Sequence, residues 1–253
     1  MNTQIFLADL VSACLGGLLS KPSAPECRVL MYHALGTQVP GDIKHLYNMH
    51  PNTFKAQLDC LTELSRSDLI KVTDIRCGIH DHRGVAITFD DGFRDNLLIA
   101  APMLIERGMP FTVFVAPGFA LSGDERYLSP PLIKELAALP GCTIGAHGYT
   151  HRALTTLEKH ALDEELRSSR AWLEDMTGKP VVTMSYPHGA VCERVVAAVA
   201  EAGFELAASS RFGPYRKGED LLTIPRLDLW SSDDTKRFKA KLAGKWDWLK
   251  WVV

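Results

Sequence analysis

Val85-Ala86-Ile87-Thr88-Phe89 is a near-continuous apolar run that stops on Asp90-Asp91-Gly92. A run this short, closed by a turn residue, reads as a strand buried on both faces. The pattern recurs along the chain. Arg28–Tyr32, Phe111–Val115, Cys142–Ala146, Val181–Tyr186, Glu205–Ala208 and Leu221–Leu227 read the same way. Between these runs the apolar spacing changes to that of helices. Phe54, Leu58, Leu61 and Leu64 follow Pro51, and Leu97, Ala101, Leu104 and Ile105 surround Pro102, which should start or kink their helix. Ser129-Pro130 supplies an N-cap and a first helical position. Thr155 to Glu158 reads as a capping box, and the helix after it lines up Leu162, Leu166, Leu173 and Met176 before Gly178. A further helix covers Glu193–Ala202. Strands alternating with helices imply a parallel α/β sheet, closed as a barrel or open and doubly wound.

The chain has 253 residues, which fits one α/β barrel of roughly 250 residues. Its net charge of −2 argues against a dedicated nucleic-acid binder, which would carry a basic excess. Six cysteines, with no CxxC spacing, read as free buried thiols in a reducing compartment rather than as a zinc site or a disulfide framework. Ile5–Leu19 is apolar but interrupted by Asp9, so residues 1–27 are expected to form an amphipathic helical extension, not a membrane span. Residues 28–230 would be the barrel. Residues 231–253, basic and rich in Trp, are expected to form a C-terminal helix packed on it with a solvated basic face; peripheral contact with the inner membrane is the alternative. The expected location is cytoplasmic.

In either α/β architecture, active sites gather at the carboxyl ends of the strands. Three strand ends carry chemistry. Asp90-Asp91-Gly92 places two carboxylates at a sharp turn, where they could share a pocket or serve as N-caps of the next helix. His147-Gly148-Tyr149-Thr150-His151 spaces two histidines four apart, on one side of a helical turn if a helix forms there. They read either as unrelated surface histidines or, with Asp91, as a two-His, one-carboxylate metal site with open positions. Ser185-Tyr186-Pro187-His188-Gly189 is a rigid turn that can aim backbone N–H groups into a pocket, or a plain strand–helix turn. His80-Asp81-His82 lies in a polar stretch and reads as solvated, as do His45, His50 and His160.

Taken together and in this order, these residues resemble the polysaccharide deacetylase family, carbohydrate esterase family 4. Thr88-Phe89-Asp90-Asp91-Gly92 matches the first family motif, and His147…His151 the second, with Gly148 where Ser or Thr is usual. The third motif departs: Ser185-Tyr186-Pro187-His188 stands where Arg-Pro-Pro-Tyr is the family pattern. The resemblance implies a distorted (β/α)7 barrel and metal-dependent removal of acyl groups from amino sugars. It assigns Asp91, His147 and His151 to a divalent metal ion, zinc first, with cobalt, nickel or manganese as alternatives. Asp90 becomes the general base that takes a proton from the attacking water. The His188 N–H, with Tyr186 and Pro187 beside it, becomes the oxyanion and substrate turn.

Two departures shape the remaining assignments. No histidine follows His188, so the family's late general acid is missing; His33 of the early Tyr32-His33 pair, which resembles a subgroup with that motif, is the candidate acid. The third-motif arginine is also missing, and Arg226, after Ile224-Pro225, is the candidate partner for Asp90. The implied substrate is an N-acetyl or N-formyl amino sugar, free, nucleotide-linked, lipid-linked or polymeric. A cytoplasmic precursor of cell-surface polysaccharide or lipopolysaccharide is preferred. The alternatives are a hydrolase of a cyclic amide and a catalytically weak, sugar-binding relative.

Overall fold

The computed structural model describes residues 26–64, 68–77 and 84–251. Of the helical extension expected over residues 1–27, residues 1–25 lie outside the described residues, as does the His80-Asp81-His82 string, while Glu26 and Cys27 belong to a strand instead. The strands are β1 (Glu26–Tyr32), β2 (Leu69–Ile70), β3 (Gly84–Phe89), β4 (Phe111–Val115), β5 (Cys142–Ala146), β6 (Thr183–Ser185), β7 (Leu206–Phe212), β8 (Tyr215–Arg216) and β9 (Ile224–Asp228). The helices are α1 (Pro51–Leu61), α2 (Ala101–Glu106), α3 (Pro117–Leu121), α4 (Pro130–Ala138), α5 (Lys159–Thr177), α6 (Glu193–Glu201) and α7 (Thr235–Leu242).

Seven parallel strands close on themselves in the order β1-β3-β4-β5-β6-β7-β9 and back to β1. This is the (β/α)7 barrel that the family resemblance implied. Its staves are unevenly joined. β1 and β3 pair along six positions, from Cys27↔Gly84 to Tyr32↔Phe89, whereas β5 and β6 meet at Ala146↔Met184 alone. Between β7 and β9 the register shifts between Ala208 and Phe212. β2 runs beside the start of β3, and β8 pairs antiparallel with the start of β1. Every residue of β1, β3 and β4 is buried. That explains why those segments read as continuous rather than alternating apolar runs.

The helices follow the sequence signals with local corrections. Ser129 precedes α4 as N-cap, and Gly178 closes α5 with φ 66°. The proposed capping box at Thr155–Glu158 does not form: Leu154–Thr156 is a short 3₁₀ turn, and α5 starts at Lys159 after Glu158. Pro102 starts a helix as expected, at the second position of α2. Lacking an N–H, it cannot extend an α-helical ladder backward. The chain instead makes a π turn over Asn96–Ala100 before α2. That wide turn is anchored to the loop after β1: Asp95 accepts from the N–H groups of Leu35 (2.8 Å) and Thr37 (3.1 Å), and Asn96 donates to the His33 carbonyl (2.9 Å). His50, read from sequence as incidental, caps α1 through Nδ1.

The C-terminal segment is not one helix. α7 ends at Leu242, and Asp247–Trp251 is a separate 3₁₀ turn. Nor is its basic face wholly solvated. Lys241 is fully buried, with Nζ 2.6 Å from an Asp233 carboxylate oxygen and 3.9 Å from the Trp230 ring centre. Trp246 is buried against Trp230, and Arg28 of β1 holds Asp247 at 2.9 Å. Of the residues offered to a membrane in the sequence reading, Lys241 and Trp246 are thus used in packing, while Lys236, Lys239 and Lys245 stay exposed. Among the described residues, no helix is long and apolar enough to cross a membrane. Of the cysteines, Cys27 is buried, Cys60 and Cys142 are half-buried and Cys192 is exposed, so not all are core thiols.

Candidate active site

β3 delivers the two carboxylates, and the turn after it separates them. Hydrogen bonding between β1 and β3 continues one step past the strand, where the Asp90 N–H donates to the Tyr32 carbonyl at 2.9 Å. The chain then turns left-handed at Asp91 (φ 71°) and Gly92 (φ 72°). A Cβ at residue 92 would also come within 3.2 Å of the Val115 side chain, so glycine fits this turn on two counts. Four non-glycine residues have positive φ among the described residues, and three of them are Asp91, His151 and His188. Backbone strain of this kind collects where side chains must be aimed for function.

Asp90 is gripped by Arg226. The guanidinium, fully buried, makes two 2.7 Å bonds to the two carboxylate oxygens, one from each Nη. Its Nε donates to the Ser209 carbonyl at 2.9 Å, and its Cζ lies 5.7 Å from the Phe114 ring centre. Ser185 Oγ adds a longer contact of 3.3 Å to the same carboxylate. Burial pushes the Asp90 carboxyl up, but Arg226 and His147 outweigh it and hold it below its usual range.

Asp91 faces the other way, to the histidines. Its Oδ1 lies 3.4 Å from His147 Nε2 and 3.1 Å from His151 Nε2. One donor atom from each of the three residues falls within a 4.8 Å span. Burial again raises the Asp91 carboxyl, and hydrogen bonds from His147 and His151 more than reverse this, leaving it well below the carboxylate range. For His147, burial works to lower the imidazole, but Asp90 and Asp91 raise it on balance; for His151, burial prevails and its pKa falls. His147 Nδ1 is committed to Ser185, 3.0 Å from its carbonyl and 2.6 Å from its hydroxyl. A ring whose Nδ1–H donates to a carbonyl presents its Nε2 lone pair to the site, the tautomer a metal ligand needs.

The His147–His151 segment is not helical. It is a loop with left-handed residues at Gly148 (φ 65°) and His151 (φ 61°), so the two rings meet by a turn rather than by helical spacing. The ring centres are 4.8 Å apart, and Phe119 lies 4.9 Å from His151. The strand-end turn after β6 lies alongside. Tyr186 is buried, and its hydroxyl donates to the Leu222 carbonyl at 2.7 Å, so its side chain packs the wall instead of facing a substrate. Pro187 is buried beside Gly148. His188 has φ 57°; its ring is 4.5 Å from that of His151 and its Nε2 3.2 Å from the His151 carbonyl.

His33 ends β1 on the same rim. It stands close enough to Asp90, Asp91 and Asp228 to lower their carboxyls, and its ring lies 4.4 Å from that of Tyr47. Its Nδ1 is buried without a hydrogen-bond partner, as is Asp228 Oδ1. Asp228 was not singled out in the sequence. Burial raises its carboxyl, against the pull of Lys241 and a 2.8 Å bond from Trp230 Nε1. The signal was available: Asp228 ends β9 just as Asp90 follows β3, in the position where strand-end chemistry is sought. Ser185 was read only as the place of a missing arginine, although it bridges the base and a histidine.

The model of the polysaccharide deacetylase family matches residues 78–207, just over half of the chain. YxkH of Bacillus subtilis (strain 168), whose name places it in the same family, is 25% identical over 205 residues, which are 79% of this chain and 70% of the other. The polysaccharide deacetylase BC0361 of Bacillus cereus superimposes with a TM-score of 0.75 at 25% identity, covering 86% of this chain and 69% of that one. The Streptococcus pyogenes deacetylase PplD, solved in complex with acetate, also gives 0.75, at 20% identity over 87% of this chain and 99% of that one. At that identity the likeness speaks for the fold.

Proposed function

The chain belongs to the polysaccharide deacetylase family, and from that premise we propose that it is a metal-dependent hydrolase that removes an N-acetyl or N-formyl group from an amino sugar. The observation that carries this reading is the division of labour between the two adjacent carboxylates. Asp90 is committed to Arg226 and Asp91 to the two histidines. Like charges so close raise one pKa unless cations separate them; the guanidinium serves Asp90, and a divalent ion on the histidine pair would serve Asp91.

The donor set fits a catalytic divalent ion. Two imidazole nitrogens and one carboxylate oxygen converge, His147 Nδ1 faces the Ser185 carbonyl, a bond that would turn its Nε2 lone pair to the ion, and fewer than four protein ligands leave room for water and substrate. Zinc suits this set best, with cobalt, nickel or manganese able to replace it. A divalent cation held there supplies a lowered pKa for the attacking water and polarisation of the amide carbonyl.

The chain's own residues do the rest. Asp90, ionised and aimed by the Arg226 fork, takes the proton of the attacking water. The His188 N–H, presented by the left-handed turn after β6, receives the developing oxyanion. His33 donates a proton to the leaving nitrogen as the C–N bond breaks, releasing the acid and the free amine. Asp228 stands close enough to His33 for its carboxyl to be lowered by it, and neither His33 Nδ1 nor Asp228 Oδ1 has a hydrogen-bond partner. The preferred substrate is a cytoplasmic amino-sugar precursor of cell-surface polysaccharide or lipopolysaccharide. The purified protein should contain close to one equivalent of divalent metal, release amine from acylated amino sugars and leave cyclic ureides unopened. Asp90→Asn should keep the metal and lose turnover; an Asp90→Asn variant with full activity overturns the mechanism, and ring opening of cyclic ureides with no amine release from acylated amino sugars overturns the substrate class.

A further inference from the structure

The loop that carries both histidines is held from outside the barrel. His147 N–H donates to the Val115 carbonyl at 2.9 Å, and the Gly118 N–H of α3 donates to the Tyr149 carbonyl at 2.7 Å. On its far side stands Glu165, from the second turn of α5. One carboxylate oxygen accepts from the Thr150 N–H at 2.6 Å and from the Thr150 hydroxyl at 3.0 Å, and the other oxygen accepts from the same hydroxyl at 3.0 Å. Glu165 is buried, on the same α5 face as Leu162, Leu166 and Ser169. A buried carboxylate on the apolar face of a helix is costly unless its hydrogen bonds are satisfied, and Thr150 satisfies them here.

Gly148 belongs to the same device. A Cβ at residue 148 would lie 3.0 Å from Glu165 Oε1 and 3.2 Å from Pro187 Cγ. A side chain at 148 and the Glu165 carboxylate compete for one space.

We propose that Glu165 is the positioning residue of the metal-ligand loop, acting through Thr150 to set His151, and that Gly148 is glycine because this carboxylate needs its room. The inference rests on the metal-site reading above. Partners behind metal ligands typically change metal affinity by about 10–100-fold when removed. Glutamine keeps the acceptor oxygen that takes both Thr150 donors, so it should preserve the brace; alanine should not.

The test measures zinc affinity by calorimetry on apo protein, with the unfolding midpoint of the apo form as control. Glu165→Ala should weaken zinc binding by about 10–100-fold, and Glu165→Gln should stay within about threefold of the parent, a tolerance of roughly 0.6 kcal/mol. A double-mutant cycle adds a readout that a merely structural role would not move. Gly148→Ser should weaken zinc binding less in the Glu165→Ala background than in the parent, because the clash is gone while the left-handed backbone cost cancels. Equal zinc affinity for the parent and Glu165→Ala overturns the inference, as does strict additivity in the cycle. A parent protein that binds no divalent ion overturns the functional reading itself, and is distinguished by being seen before any variant is made.

Discussion

Replacing Arg226 with Met removes the one guanidinium that grips Asp90 and keeps a side chain of similar reach. The structure sets the size of the loss. Two charge-assisted bonds of 2.7 Å disappear, together with the 2.9 Å bond to the Ser209 carbonyl. Asp90 is left buried with Ser185 Oγ at 3.3 Å and His147 Nε2 at 4.0 Å. Breaking a buried pair from one side costs about 3–5 kcal/mol. For a chain of this size, a shift of about 2–4 °C per kcal/mol puts the fall in Tm at about 6–20 °C. The pH dependence has a definite sign. In the parent, the Asp90 carboxyl sits below its ordinary value despite burial, so its contribution to stability is present above the unfolded pKa and is lost as pH falls through the folded one. Without Arg226, burial dominates and the carboxyl rises. The acidic limb of kcat/KM should then move to higher pH, and kcat at neutrality should fall by about 10²–10⁴, the usual worth of a positioned base. Arg226→Lys keeps the charge but not the planar fork, so it should fall between the two. Amine release from an acylated amino sugar across pH, with thermal unfolding alongside, measures both effects. An Arg226→Met protein with its acidic limb unmoved and its turnover within fivefold of the parent refutes the pairing as the basis of the Asp90 role.

Stripping divalent ions with a chelator should abolish turnover, and zinc should restore it; at free zinc a hundredfold above Kd the bound form gains about 2.7 kcal/mol, or about 5–11 °C in Tm by calorimetry. His33→Gln should lower kcat on an amide by about 10²–10⁴ while leaving metal content unchanged, but it should spare an aryl acetate, whose leaving group needs no proton; equal losses on both substrates refute His33 as the acid. Trp246→Ala, which removes no proposed metal ligand, should cost about 3–5 kcal/mol of stability in chemical denaturation, with zinc affinity unchanged.

The parts legible in the sequence were those that depend on local pattern. The seven barrel strands could be read because a strand buried on both faces is a short apolar run whatever its neighbours are. The carboxylate pair and the two histidines could be read because each motif sits directly after such a run. Closure of the barrel was not legible from the pattern, since an open sheet would show the same alternation; the β1–β3 and β1–β9 registers carry that information, and they are long-range. The helical reading of His147–His151 failed because i,i+4 spacing cannot distinguish a helix from a loop with two left-handed residues. The C-terminal helix failed differently: Lys241 counts as a solvated charge in any composition argument, and only the fold brings Asp233 and Trp230 around it. Glu165 was visible as a charge between Leu162 and Leu166, yet its partner Thr150 lies in another element.

The missing arginine shows why the family resemblance could propose the Arg226–Asp90 pair but not establish it. The two residues are 136 positions apart, and nothing in the chain between them sets their distance. The barrel does. β9 and β3 flank β1 on opposite sides, and Thr88 of β3 both donates to Leu30 of β1 and lies 3.3 Å from Arg226 Nη1. A long side chain from β9 can therefore reach the end of β3 within the barrel wall. The small residue at the end of β6 then has a different use. Ser185 is 3.3 Å from the Asp90 carboxylate and 2.6 Å from His147 Nδ1, so it links the two halves of the site without adding a charge. An arginine at 185 as well would place a second cation beside His147, whose imidazole is already raised by Asp90 and Asp91. With the charge delivered from β9 and a hydroxyl left at β6, each carboxylate keeps one kind of partner: a guanidinium for Asp90 and a pair of imidazoles for Asp91.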